Sequence, residues 1–281
     1  MLKTRVLTAI VLVPLVLSAL FGLGARNWAL VTLIAVCVAA GEWAMLADFS
    51  TQARWLYAGA AAGIGLALLL LPDFGFSAAS GWPPAVVVAI CGAATLFWIC
   101  VVPAWVLRRW QVKSASVLAL VGALVLVASW VALVQIQARS PGLLLALMAI
   151  VWIADTAAYF AGRRFGKRKL APLISPGKTW EGVYGALFAV GVYALALLPL
   201  AKGNGYAQAL GVGAIVAWVC LVLLLAGLSI FGDLFESLLK RQRGVKDSGK
   251  VLPGHGGVLD RIDALTAAMP AAALVAHYLI R

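Results

Sequence analysis

Acidic residues are scarce in this chain: ten Asp and Glu in 281 residues, against 22 Lys and Arg, with only 11% of positions charged. A soluble domain carries about 25% charged and about 45–50% apolar residues. Here 64% are hydrophobic, which excludes a water-soluble globule, a disordered chain and a coiled coil. The net charge of +12 does not indicate a nucleic-acid binder, because such proteins do not carry repeated apolar runs of membrane length. Cysteine is also sparse. Cys37, Cys91, Cys100 and Cys220 lie inside apolar runs without CxxC spacing, so neither a disulfide framework nor a zinc site is indicated. Of the two histidines, His277 falls near the end of the last apolar run, at an expected membrane interface, and His255 lies in the most polar stretch.

What the chain has instead is long apolar runs. A helix crossing a bilayer needs about 20 such residues. Candidates are 6–24, 28–47, 55–72, 85–107, 116–137, 142–161, 180–201, 207–231 and 264–280. The expected fold is all-α, a polytopic bundle of about nine transmembrane helices with its N-terminus in the cytoplasm. The first run follows Lys3 and Arg5 and reads as a spanning helix, not a cleaved signal. The positive-inside rule supports this threading: 18 Lys and Arg fall on the cytoplasmic side, and only Arg26, Arg139, Lys202 and Arg281 on the other. The chain divides into residues 1–141, with about five helices, and 142–281, with the cytoplasmic loops 162–179 and 232–263.

The rare acids can be followed one by one. Asp48 and Asp73 lie in connections. The other eight gather toward the cytoplasmic side: Glu42, Asp155, Glu181, Asp233, Glu236, Asp247, Asp260 and Asp263. A carboxylate inside a membrane helix costs a few kcal/mol, roughly 2.5–3.5 on insertion scales, so Glu42 and Asp155 mark function or a specific partner. If the eighth helix continues past 231, Asp233, Glu236, Ser237, Lys240 and Arg241 share one face. Asp260 and Asp263, at i and i+3, share another. Short carboxylates from two elements can hold a hard divalent cation, Mg2+, Mn2+ or Ca2+, through oxygen alone.

Between the acids lie Lys240, Arg241, Arg243, Lys246, Lys250 and Arg261, interrupted by Gly244, Gly249, Gly254, Gly256 and Gly257. Acids for a metal, bases for phosphate and glycines for close backbone approach suit phosphoryl or nucleotidyl transfer. Gly177–Lys178–Thr179 imitates the end of a P-loop, but Pro172 stands where glycine is required and no strand is expected before it. The segment from Ser175 to Gly182 reads as a turn entering a helix, with Lys178 free to meet an anion at the positive helix start.

The stretch Ser237–Asp263, SLLKRQRGVKDSGKVLPGHGGVLDRID, resembles the signature of the phosphatidate cytidylyltransferases (CDP-diacylglycerol synthases). All sixteen specified positions are met: Ser237, Lys240, Arg241, Lys246, Asp247, Gly249, Leu252, Pro253, His255, Gly256, Gly257, Val258, Asp260, Arg261, Ile262 and Asp263. Gly232–Asp233, the SPGKTWEG segment and Asp155 with Tyr159 and Gly162 are similar too, so the specific resemblance covers roughly residues 150–263. The first 140 residues match as membrane helices only.

The resemblance implies a nucleotidyltransferase that uses CTP and phosphatidic acid to make CDP-diacylglycerol and pyrophosphate. It implies Mg2+, with Mn2+ as an alternative and room for an additional monovalent ion, in a bacterial inner membrane with the site facing the cytoplasm. The catalytic set expected from it is Asp233, Asp260, Asp263, Lys240, Arg241 and His255, with Asp233, Asp260 and Asp263 at the metal. Lys178, Ser237, Lys246, Asp247, Arg261 and Asp155 would serve the phosphates, nucleotide or lipid headgroup. Nucleic acid is not an expected partner; a homodimer is compatible, although no packing motif marks one. Three rival readings meet the same residues. A CDP-alcohol phosphotransferase pattern requires glycine after the second aspartate, where Ala264 follows Asp263. A lipid or ion transporter has no use for the Lys/Asp/His-Gly-Gly loop. A CTP-dependent lipid kinase is the nearest enzymatic alternative.

Overall fold

The computed structural model describes residues 2–203 and 211–279 in backbone, and side chains at 8, 10–198 and 211–276. The expected positions of Lys3, Arg5, Lys202, His277 and Arg281 lie outside the described side chains. Among the described residues the long helices are α1 (Leu2–Gly22), α2 (Ala25–Leu46), α3 (Thr51–Leu70), α4 (Pro84–Arg108) and α5 (Ala115–Arg139). They continue with α6 (Pro141–Phe165), α7 (Trp180–Gly203), α8 (Val212–Gln242) and α9 (Leu259–Leu279). Seven of them, α2 through α8, are long and apolar enough to cross a membrane.

Helix starts follow local chemistry. Ser50, Ser114 and Ser140 each accept a backbone N–H three residues on, from Ala53, Val117 and Leu143, and Pro141 fills the first position of α6. Pro103 offers no N–H to the preceding turn, and α4 relaxes there into a π-helical turn over Phe97–Val101. It ends at Arg109, in the left-handed region at φ 51°.

In lipid, apolar surface gives little drive for helix pairing, so small residues and interhelical hydrogen bonds carry it. α9 is the central example. Ala264, Ala267, Ala268, Ala271, Ala272, Ala273 and Ala276 are buried as it packs on α4, α5 and α8. The helices of 1–141 and 142–281 thus share one core. The indole N–H of Trp43 donates to the Leu118 carbonyl at 2.7 Å, and that of Trp130 to Ala29 at 3.0 Å. Trp43, Phe97, Trp98 and Trp105 surround Phe235 at ring separations of 5.2–6.3 Å, fixing α8 immediately before Glu236. The four cysteines are free thiols.

The loop after α6 departs from expectation. Strands β1 (Lys169–Ala171) and β2 (Ser175–Thr179) form an antiparallel hairpin with Pro172 in its turn, so a strand does precede the Gly177–Lys178–Thr179 segment. Glu181 holds its base by accepting the N–H groups of Lys167 and Arg168 at 3.0–3.3 Å.

Candidate active site

α8 runs unbroken to Gln242, carrying the acid–base stripe out of its apolar stretch on one rod. Its 3.6-residue period sets Ser237 above Asp233, with the hydroxyl donating to Asp233 Oδ1 at 3.2 Å, and Lys240 above Glu236, Nζ to Oε2 at 3.0 Å. Two contacts then join the stripe to other elements. Lys178 Nζ, from β2, lies 2.6 Å from Asp233 Oδ2. Lys240 Nζ lies 2.6 Å from Asp260 Oδ1 at the start of α9. The two loops singled out in the sequence therefore meet over α8.

The Asp260 carboxylate is held from three directions. Besides Lys240, its Oδ2 accepts the N–H groups of Ser248 at 2.9 Å and Gly257 at 2.8 Å. These donors come from a compact turn in which Leu252 and Gly256 pair, and Gly256 has φ +85°. A Cβ on Gly256 would sit 2.7 Å from Asp260 Oδ2, so glycine is required by backbone angle and by space. Three of roughly four lone-pair positions on Asp260 are engaged, leaving one on Oδ1. Asp263 accepts the N–H of Ala264 at 2.7 Å, and its carboxyl meets that of Glu236. On the far side Asp155 is open to the cleft, with Asp233, Asp263, Lys178 and Arg261 as its charged neighbours. An apolar hollow of about 340 Å³, lined by Ala149, Trp152, Ile153, Thr156 and Ala157, lies along another face of α6.

The expected residues divide by role. Lys178, Asp233 and Ser237 form one contacting set and Lys240 and Asp260 another, both anchored on α8, with Asp263 and Asp155 as charged neighbours. Arg241 is engaged structurally: its guanidinium donates to the carbonyls of Ile174 at 3.2 Å and Val245 at 3.3 Å, tying the hairpin to the glycine-rich loop. Lys246, Asp247 and Arg261 are exposed and make no ion pair or side-chain hydrogen bond among the described residues, leaving the two cations available to an anion. His255 is half-buried, and its Nδ1 has no partner among the described atoms.

Two acids matter beyond the expected set. Glu236 is 2% exposed and pairs with Lys240 through Oε2, while its Oε1 has no hydrogen-bond partner among the described atoms. Glu42, on α2, is 7% exposed and accepts from the Val258 N–H at 3.1 Å, the Leu259 N–H at 2.7 Å and the Ser248 hydroxyl at 3.3 Å. The only sequence signal for Glu42 was an acid within an apolar run and no nearby cation. Nearby, Arg243 forms an exposed ion pair with Asp48 and holds that carboxyl below its ordinary range through the shared hydrogen bond.

The acids of the site are hard oxygen donors. Among the described residues no group of three or more His, Cys, Asp or Glu side chains is placed to hold a metal ion as it stands. Yet Asp233, Asp260 and Asp263 retain unengaged oxygen lone pairs, and the donors are all hard carboxylate oxygens, as Mg2+ prefers. The Lys178 ammonium beside Asp233 already shows that a cation is stable there.

Residues 3–279 match the model of the cytidylyltransferase family. A phosphatidate cytidylyltransferase of Pseudomonas aeruginosa is 40% identical over 280 residues, 96% of this chain and 95% of that protein. One of Haemophilus influenzae is 50% identical over 128 residues, 46% of this chain and 43% of its own. One of Staphylococcus aureus is 44% identical over 138 residues, 48% and 49% of the two chains. The similarity thus extends through the N-terminal half, well beyond residues 150–263. The chain belongs to the cytidylyltransferase family.

Proposed function

We propose that this membrane enzyme transfers a cytidylyl group from CTP to phosphatidic acid, yielding CDP-diacylglycerol and pyrophosphate. The observation that carries the reading is the pairing of Lys178 with Asp233 and of Lys240 with Asp260, which gathers carboxylates and cations from three elements at one end of the bundle. In the reaction a phosphate oxygen of the lipid attacks the α-phosphorus of CTP, and the bond to the bridging oxygen breaks as pyrophosphate leaves. The attacking oxygen is already anionic, which is why no Ser, Cys or His nucleophile is needed. The obstacle is the approach of two anions, and preorganised positive charge lowers it. Arg261 and Lys246, uncommitted among the described residues, neutralise the phosphates, joined by Lys178 when it turns from Asp233. His255, half-buried in the glycine-rich loop, hydrogen-bonds a phosphate oxygen. Asp233 and Asp263, with the remaining lone pair of Asp260, would hold Mg2+, which supplies Lewis-acid charge at the phosphates.

Lipid arrival sideways from the bilayer is supported by the apolar hollow on α6, the helix that also carries Asp155. Placement at the cytoplasmic face of a bacterial inner membrane is supported by the charge asymmetry of the connections and by the bacterial relatives. The test is purified protein in phosphatidate-containing vesicles with Mg2+ and CTP labelled at either phosphate. Label from the α-phosphate in the lipid product supports the proposal. Label from the γ-phosphate alone indicates a lipid kinase, and no turnover with labelled lipid crossing the bilayer indicates a transporter.

A further inference from the structure

We infer that Glu42, near the C-terminal end of α2, is a positioning residue for the cytidylyl-transfer site, an inference that rests on the proposed reaction. Both its oxygens accept hydrogen bonds, and all three donors belong to the segment that shapes the acids: Ser248, Val258 and Leu259. Ser248 and Gly257 hold Asp260 through their N–H groups; Glu42 holds the first through the Ser248 hydroxyl and abuts the second through the N–H of its neighbour Val258. Val258 and Leu259 begin the helix that presents Asp260 and Asp263, and a carboxylate there satisfies N–H groups that the helix itself leaves unpaired. It stands in the position of a capping side chain, but comes from a helix more than 200 residues earlier.

The loop is built around this one side chain. A Cβ on Gly249 would sit 2.2 Å from Glu42 Oε1, and one on Gly257 would sit 2.5 Å from Oε2. Two glycines of the loop thus exist where the carboxylate needs room. Smaller ties run alongside it. The Thr8 hydroxyl of α1 donates to the Pro253 carbonyl at 3.1 Å, and the Gln242 amide to the Trp110 carbonyl at 2.7 Å. The N-terminal helices therefore help to set the geometry of the loop as well as anchoring the chain. Glu42 acts through Asp260 and Asp263 and touches no reacting atom.

The test separates charge from shape. Glu42→Gln keeps the size but turns one acceptor into a donor that faces N–H groups; Glu42→Asp keeps both acceptors on a shorter stem. The inference expects kcat to fall about 10–100-fold in Glu42→Gln, as for groups that orient a metal ligand. It expects a raised Mg2+ requirement, an unchanged KM for phosphatidate and a smaller loss in Glu42→Asp. Glu42→Gln at wild-type kcat, or Glu42→Asp worse than Glu42→Gln, would show a space-filling role and overturn it. Ser248→Ala, which removes one donor to Glu42 and keeps the N–H to Asp260, is the milder variant should Glu42 variants fail to accumulate; it should reduce kcat several-fold, and no change overturns the inference. Wild-type protein inactive with α-labelled CTP would instead remove the reaction reading itself.

Discussion

Lys240 is the residue whose removal should be felt most widely. Its side chain is 10% exposed and lies between the side chains of Glu236 and Asp260, 3% and 4% exposed. At an effective dielectric of about 20, gross attractions at the observed 3.0 and 2.6 Å are about 5.5 and 6 kcal/mol. Desolvation of the three groups offsets much of this, and removing one partner of a buried pair typically costs about 3–5 kcal/mol. Lys240→Met preserves the stem without the charge. For a chain of this size that loss lowers the midpoint of thermal unfolding by roughly 6–20 °C, measured as disappearance of the monodisperse gel-filtration peak after heating in detergent. The two carboxylates should not suffer equally. Asp260 keeps the N–H groups of Ser248 and Gly257, whereas Glu236 loses its only ion-pair partner among the described residues. Adding Glu236→Gln to Lys240→Met should therefore recover most of the lost stability, with activity still absent. A Lys240→Met midpoint within about 2 °C of wild type, or a double variant less stable than the single one, refutes this account.

Other predictions are simpler. Asp260→Asn should abolish CTP-dependent lipid product while the protein still accumulates in membranes; near-native turnover sinks its proposed place at the metal. Lys178→Ala should raise the apparent KM for CTP or for phosphatidate about tenfold or more, a loss of about 1.4 kcal/mol in binding, and two unchanged values remove the hairpin from the site. EDTA should stop transfer and Mg2+ restore it, so persistent turnover in EDTA disproves the metal assignment. The Asp48–Arg243 pair lies outside the site, and Arg243→Ala should leave turnover within about twofold, as for most exposed pairs. Because the Asp48 carboxyl sits below its ordinary value, the pair is complete above about pH 4 and is lost only as pH falls through the lowered value. No step in a pH–rate profile between 6 and 9 should therefore change in Arg243→Ala.

The acid–base stripe on α8 was legible because one helical period governs Asp233, Glu236, Ser237, Lys240 and Arg241, and the structure needed only to keep the helix intact through them. Apolar run lengths placed the helices for the same reason, since bilayer thickness leaves little choice. The hairpin at 169–179 was not legible. Its strands are three and five residues long, too short for alternation, and Pro172, Pro176 and Gly177 read as turn signals. Arg241 looked like a phosphate ligand because sequence reveals a charge but not a nearby carbonyl such as that of Ile174. The partners of Glu42 were hidden for a related reason. Two are backbone N–H groups, which no side-chain pattern announces, and they lie 216 and 217 residues away.

The length of α8 has a consequence for how two unlike substrates meet. Its 31 residues span about 46 Å, whereas the oily interior of a bilayer is about 30 Å thick. The rod is longer than an upright crossing needs, and the reactive stretch lies at its end, past the apolar run. From Asp233 to Lys240 the axial rise is about 10 Å, comparable to the depth of one headgroup layer and its hydration. A phosphatidate is tethered by its chains to a fixed level of that layer, while a nucleotide descends from water without such a tether. One rigid helix thus works as a depth gauge. It sets the level at which a water-borne triphosphate must stop to face a phosphate that cannot rise to meet it.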